Sequence, residues 1–242
     1  MPFGLLRASG HFLSGLLDLV LPPRCVACDA LVAAGSAFCA VCEVALVAPE
    51  QPCPRCAEPG GRRRCSRCRA LRPAFARLHA PWLYGGPLAD AIGRLKYEHR
   101  TELAGPLARL WSVAPLRELA LDRVLPVPLH RRRLAQRGYN QAALLARPLA
   151  RALKRPLECG ALSRRRDTPS QTRLGLAERR ANVHGAFAVP RPSRVEGQRL
   201  LLVDDVATTG STLDAAARVL LAHGAVSVVA VVLARAELRS PA

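Results

Sequence analysis

Hydrophobic and polar positions along this chain fall into two alternating kinds of run. One kind is short and largely apolar: "FARLHAPWLYGG" (75–86), "DRVLPVP" (122–128), "AFAV" (186–189), "RLLLVDDV" (199–206) and "VSVVAVVLAR" (226–235). Their length, β-branched content and glycine or proline boundaries predict strands. The other kind repeats at helical spacing and covers 87–97, 102–120 with a break near Pro106 and Pro115, Tyr139–Leu153, and Ser211–His223. Strands that are apolar throughout, alternating with helices, imply an α/β fold with a mainly parallel sheet covered on both faces. Ligands in such sheets bind at the carboxyl ends of the strands.

The first residues carry a different pattern. Leu5, Leu6, Phe12, Leu13, Leu16, Leu17 and Val20 recur near helical spacing, predicting an amphipathic helix over 1–22 docked on the body. His11 and Asp18 interrupt the apolar run. It is too short to span a bilayer and lacks a small-residue cleavage site, so a cytoplasmic protein without a transmembrane segment is expected.

Between this helix and the first strand lie Cys25/Cys28, Cys39/Cys42, Cys53/Cys56 and Cys65/Cys68, four CxxC knuckles. Two thiolates separated by two residues can face one tetrahedral Zn²⁺ across a tight turn, so two knuckles close a site. Four knuckles therefore predict two structural zincs in a segment spanning 23–72, with 73–242 forming the larger domain. Sequential pairing is favoured, 25/28 with 39/42 and 53/56 with 65/68; a cross-braced arrangement is the competitor. A disulfide framework fits poorly with the ordinary α/β sequence that follows. Cys159 stands alone and reads as a structural thiol.

Composition adds one fact to this picture. Over 242 residues the formal charge is +18, and Lys96 and Lys154 are the only lysines. An arginine excess of this kind favours polyanionic partners: nucleic acid, phosphorylated metabolites or anionic lipid.

The chemistry concentrates in "LLVDDVATTGST" (201–212). An apolar strand, Leu200–Val203, delivers Asp204 and Asp205 to its carboxyl end. The small and hydroxyl residues that follow lead into a helix, where exposed amides and the helix dipole favour phosphate. Carboxylates beside phosphate would repel it directly, so they should face ribose hydroxyls or a bridging Mg²⁺. The segment reads as a site for a phosphorylated sugar.

This stretch closely resembles the phosphoribosyl-pyrophosphate (PRPP) signature of type I phosphoribosyltransferases. The resemblance implies that Asp204 and Asp205 contact the ribose and that Ala207, Thr208, Thr209, Gly210, Ser211 and Thr212 hold the 5′-phosphate. Together with "LKYEHRTELA" (95–104), "VPVPLHRRRLAQRGYNQAALLA" (125–146), "RDTPSQTRLGLAERRANVHGAF" (166–187) and the cysteine pairs, the chain resembles the ComF-type competence proteins. By that resemblance, Val127, Pro128, Arg131, Arg132 and Arg133 belong to the loop that receives pyrophosphate. Residues 137–141 open a helix beside it, with capping and packing as the competing role. Arg164–Arg173, including Arg166, Gln171 and Arg173, resembles the mobile loop that closes over substrate in these transferases.

The resemblance also implies Mg²⁺ with PRPP, and a role in DNA uptake alongside other uptake proteins. Two functions follow: a phosphoribosyltransferase of unassigned acceptor, or a single-stranded-DNA-binding factor that uses the sugar-phosphate site as a sensor. No segment reads as an acceptor pocket. The N-terminal residues supply no cysteine nucleophile, so glutamine-dependent amination is not expected.

Overall fold

The computed structural model describes residues 22–60, 63–167 and 185–237. The helix expected over 1–22, apart from its last residue, and the loop residues Gln171 and Arg173 lie outside these segments.

In chain order the elements are α1 (Ala40–Val44), α2 (Ser66–Leu71), β1 (Arg77–His79), β2 (Trp82–Leu83), α3 (Gly86–Tyr97), α4 (Ala104–Ala108) and α5 (Ala114–Arg117). They continue with β3 (Arg123–Pro126), α6 (Arg131–Arg137), α7 (Gln141–Leu153), β4 (Ser163–Arg164), β5 (Phe187–Ala188), β6 (Arg199–Ala207), α8 (Ser211–Ala222) and β7 (Ser227–Arg235). The main sheet runs β1-β7-β6-β3, with β2 also on β7, and every pairing is parallel. A separate antiparallel pair, β4 with β5, brackets residues 165–186.

The apolar strands β6 and β7 serve two cores at once, because successive residues of a strand point to opposite faces. Leu201, Val203, Val229 and Val231 enter one core with Leu88, Ile92 and Leu95 of α3 and Leu145 and Leu149 of α7. Leu200, Leu202, Val228 and Ala230 enter the other with Leu213, Ala217 and Leu220 of α8. Helices on both faces thus follow directly from strands with no polar alternation. The cysteine segment splits between the cores: Cys25, Val26, Phe38 and Cys42 join the first, and Cys53, Cys56 and Cys68 the second.

Three local departures from the sequence pattern have simple causes. The region 102–120 is broken into a 3₁₀ turn, Thr101–Leu103, followed by the short α4 and α5. Pro106 and Pro115 sit in the first turns of α4 and α5, where a missing N–H costs nothing. Helix α7 starts at Gln141 because the Asn140 side chain caps it, accepting from the Ala142 N–H at 3.0 Å. Finally, β6 continues through Ala207, so Asp204 and Asp205 are part of the strand.

Candidate phosphate and ribose site

Because Asp204 and Asp205 are still in the strand, the pleat sends them to opposite faces. Asp205, 4% exposed, turns to the α3 face, where Lys96 Nζ stands 2.8 Å from its Oδ1. Burial works against the Lys96 ammonium, but the Asp205 carboxylate outweighs it and holds the pKa above the ordinary lysine value. Asp205 Oδ2 is buried and has no hydrogen-bond partner among the described residues. Asp204 accepts the Asp205 backbone N–H at 2.9 Å on its Oδ1. Burial and then the neighbouring Asp205 charge push the Asp204 pKa up to about 7, against the pull of Lys96 and Arg164.

Beyond the carboxylates the chain turns tightly into α8. Gly210, at φ +77°, is the N-cap of the twelve-residue α8. A Cβ there would meet the Phe75 ring at 3.7 Å, an ordinary contact, so the left-handed backbone is what selects glycine. Thr209 Oγ1 and Ser211 Oγ are 2.7 Å apart, and the Ser211 N–H donates to Thr209 Oγ1 at 3.2 Å. The first amides of an α-helix have no intrahelical acceptor, which together with the helix dipole suits this end to an anion.

Two adjoining cavities share the carboxylates. One, of about 260 Å³, is walled by Tyr84, Lys96, Tyr97, Asp204, Asp205 and the turn residues Ala207, Thr208, Gly210, Ser211 and Thr212. The other, of about 170 Å³, sets Asp204, Asp205 and Thr212 against Arg133, Arg137, Arg164, Gln141, Val127 and Pro128. The three arginines come from two elements. Arg133 and Arg137 are one helical turn apart on α6, a helix capped by the His130 ring, whose Nδ1 accepts from the Arg132 N–H at 3.4 Å. Arg137 also stacks over the Tyr97 ring at 5.4 Å and donates to Gln141 Oε1. Arg164 ends β4 and lies over the Phe187 ring at 5.6 Å; burial, then the nearby Arg133 charge, lowers its pKa. Asp167 partly balances this group, with Oδ1 3.4 Å from Arg133 Nε. A larger cavity, about 380 Å³, lies between Pro52, Pro54, Leu78, Trp111 and Leu116, but its mostly apolar walls bring together no comparable set of charges.

The eight paired cysteines form two clusters, Cys25/28/39/42 and Cys53/56/65/68, each with all four sulfurs within 4.8 Å of one another. The pairing is therefore sequential. Contacts of 3.7 Å link Cys28 to Cys39, Cys28 to Cys42, and Cys56 to Cys65. A tetrahedron with ~2.3 Å metal–sulfur bonds has edges of ~3.8 Å, so both clusters have the dimensions of a Zn(Cys)₄ site. Burial acts to raise the Cys25 and Cys53 thiols, but backbone N–H groups outweigh it and bring them down to about 6 and about 7.

A family model of the phosphoribosyl transferase domain matches residues 140–240, and one of the double zinc ribbon domain matches residues 16–71. The DNA utilization protein YhgH of Escherichia coli O157:H7 is 37% identical over 219 residues, 87% of this chain and 96% of its own length. The chain belongs to the ComF-type competence protein family. Competence protein F of Haemophilus influenzae is 34% identical over 179 residues, 71% of this chain and 78% of that protein. The glutamine phosphoribosylpyrophosphate amidotransferase of B. subtilis overlaps 53% of this chain and 25% of its own at 22% identity and TM-score 0.36, too loosely to bear on the site.

In this family member the residues expected from sequence do not all meet. Val127, Pro128, Arg133, Asp204, Asp205, Ala207, Thr208, Gly210, Ser211 and Thr212 line the two cavities. Thr209 faces a neighbouring crevice with Phe75 and Asp214. Arg131 and Arg132 are exposed on α6 and line neither cavity, and Arg166 is exposed beyond β4. Sequence reasoning assigned no site role to Lys96 or Tyr97, left Arg137 between a place beside the pyrophosphate loop and helix capping, and gave Arg164 none of its own beyond the mobile loop. Lys96 carried a signal, as one of two lysines in an arginine-dominated chain. Arg137 carried one too, at i+4 from Arg133, once a helix replaces the expected loop.

Proposed function

We propose that the cleft binds Mg²⁺–PRPP, in a cytoplasmic protein that acts on DNA during uptake and use. What carries this reading is one apposition: a strand-end carboxylate pair and a glycine-capped helix start on one side, with Arg133, Arg137 and Arg164 on the other.

The roles divide along the cleft. Residues Thr208–Thr212 take the 5′-phosphate through amides and hydroxyls. Asp204 and Asp205 accept hydrogen bonds from the ribose hydroxyls. Arg133, Arg137 and Arg164 bind the pyrophosphate, their planar forks suited to paired phosphate oxygens. The carboxylates and the unpartnered Asp205 Oδ2 are the hard oxygen donors that Mg²⁺ requires, and the ion supplies charge neutralisation for pyrophosphate when bound. Lys96 anchors Asp205 through their ion pair and holds its carboxylate at the cleft. Bond cleavage at the ribose C1 needs positioning and charge stabilisation, and no protein nucleophile. The two sulfur clusters hold structural zinc.

The charge of +18 and the DNA-related names of the relatives support a DNA partner bound through its phosphates. Transfer and sensing remain distinct readings of the same cleft. Radiolabelled pyrophosphate release from PRPP with a panel of bases, with and without single-stranded DNA, separates them. Release that requires a base identifies a transferase. PRPP binding without turnover identifies a sensor, and failure of both overturns the proposal.

A further inference from the structure

The carboxyl end of β6 is gripped from behind by a residue that the cleft does not use. Arg235 ends β7, an otherwise largely apolar strand, and its side chain is 0% exposed. It stands in register with Ala207, the last residue of β6 before the phosphate turn. Its Nη1 donates to the Ala207 carbonyl at 2.9 Å, which also accepts from the Ala236 N–H at 2.9 Å. Its Nη2 pairs with Glu58 Oε2. The same Glu58 oxygen accepts from Arg67 Nη2 at 2.9 Å, and that nitrogen lies 3.5 Å from Cys56 Sγ, a member of the second sulfur cluster. A continuous polar chain therefore runs Cys56–Arg67–Glu58–Arg235–Ala207.

Two further contacts run in parallel. The ring of Phe75 backs Gly210, and the Ala74 N–H donates to Asp214 Oδ1 at 2.7 Å in the first turn of α8. The first sulfur cluster has a different set of ties. Its neighbour Asp29 meets Arg94 and Arg100, and Arg94 Nη1 reaches the Val26 carbonyl, all on the α3 side.

A fully buried arginine is expensive unless it is paired and hydrogen-bonded. Lysine would have to reach both acceptors from a single nitrogen, whereas the planar guanidinium fork places one nitrogen on the carbonyl and another on the carboxylate. We infer that Arg235 is a positioning residue that couples the second zinc ribbon to the phosphate turn, so that metal at Cys53/56/65/68 and phosphate ligand at Thr208–Thr212 favour each other's binding. The inference rests on the phosphate-site reading above. Thermodynamic reciprocity then gives it two faces: loss of the second metal loosens the turn, and a ligand on the turn retains the second metal.

Both faces are measurable in the full-length zinc-loaded protein. Hydrogen exchange of segment 207–213 is compared in wild type, Cys28→Ser, Cys65→Ser and Arg235→Met. Exchange should rise in Cys65→Ser and Arg235→Met and stay at the wild-type rate in Cys28→Ser. Zinc release to a colorimetric chelator, with and without Mg²⁺–PRPP, supplies the reciprocal arm. In wild type PRPP should slow release of one zinc by roughly tenfold, within the range of measured site couplings, and in Arg235→Met it should slow neither. Arg235→Lys should recover less than half of that protection. If Arg235→Met does not fold, Glu58→Gln with Arg235→Met removes both charges of the pair and takes its place.

Equal exchange in all variants, or zinc protection that survives loss of Arg235, overturns the coupling. Changed exchange in a protein that calorimetry shows not to bind PRPP overturns the phosphate-site reading and leaves the link from cluster to turn standing.

Discussion

Lys96 and Asp205 form an ion pair of 2.8 Å at the floor of the cleft, joining the end of α3 to the end of β6. Breaking such a pair by removing one partner leaves an uncompensated buried charge. Lys96→Met should therefore destabilise the protein by ~3–5 kcal/mol at pH 8, and by less at pH 5, below the Asp204 pKa of about 7, where Asp204 is protonated and the carboxylate pair carries less charge for Lys96 to balance. Urea unfolding at the two pH values checks this. Equal stability of variant and wild type at pH 8 would mean that the pair does not hold the floor.

Asp204 makes the opposite prediction. Its pKa is raised from the ordinary carboxylate value of 3.8 to about 7 by burial and by Asp205, so the fold disfavours its charged form. The stability this group contributes is fully present below pH ~4 and is lost as the pH rises through 7. Asp204→Asn should escape that loss. Its melting temperature should match wild type near pH 4 and exceed it by several degrees at pH 8, corresponding to roughly 1–3 kcal/mol. Thermal melts of both proteins across this range test the sign, and a variant that is less stable at pH 8 contradicts it.

Much of this site was legible in the sequence because it is local. Strand, paired carboxylates, small turn residues and helix follow one another between Leu200 and Ala222, and each is recognisable from its neighbours. The cysteine clusters were legible for the same reason. What sequence could not reveal comes from tertiary packing. Lys96 reaches Asp205 only because α3 covers one face of β6, and Arg164 comes near Asp204 only because β4 and β5 approach the other. Arg131 and Arg132 looked equivalent to Arg133 until α6 formed and turned them to solvent. The role of Arg235 had one trace, a charge closing an otherwise apolar run.

The sulfur clusters predict about two zincs per chain by metal analysis. Cys42→Ser, in the first cluster, should reduce this to about one and unseat Val26 and Phe38 from the core they share with α3. Zinc content unchanged in that variant would show that the metal is held elsewhere.

A partner bound through DNA phosphates should be released by salt. Affinity for single-stranded DNA should fall ~10²-fold or more between 50 and 200 mM salt, with little preference among sequences. Binding that is flat across that range would rule out a phosphate-dominated contact.

The most direct test of the central claim is calorimetry of Mg²⁺–PRPP binding to Asp204→Ala/Asp205→Ala, with zinc content and circular dichroism confirming that the fold is intact. Both carboxylates line the cleft; removing Asp205 leaves Lys96 unpaired and costs stability. The double variant, where folded, is expected to bind at least ~100-fold more weakly than wild type, through loss of charge-assisted hydrogen bonds to ribose and metal. A folded double variant that binds PRPP as tightly as wild type contradicts the claim that this cleft is the PRPP site.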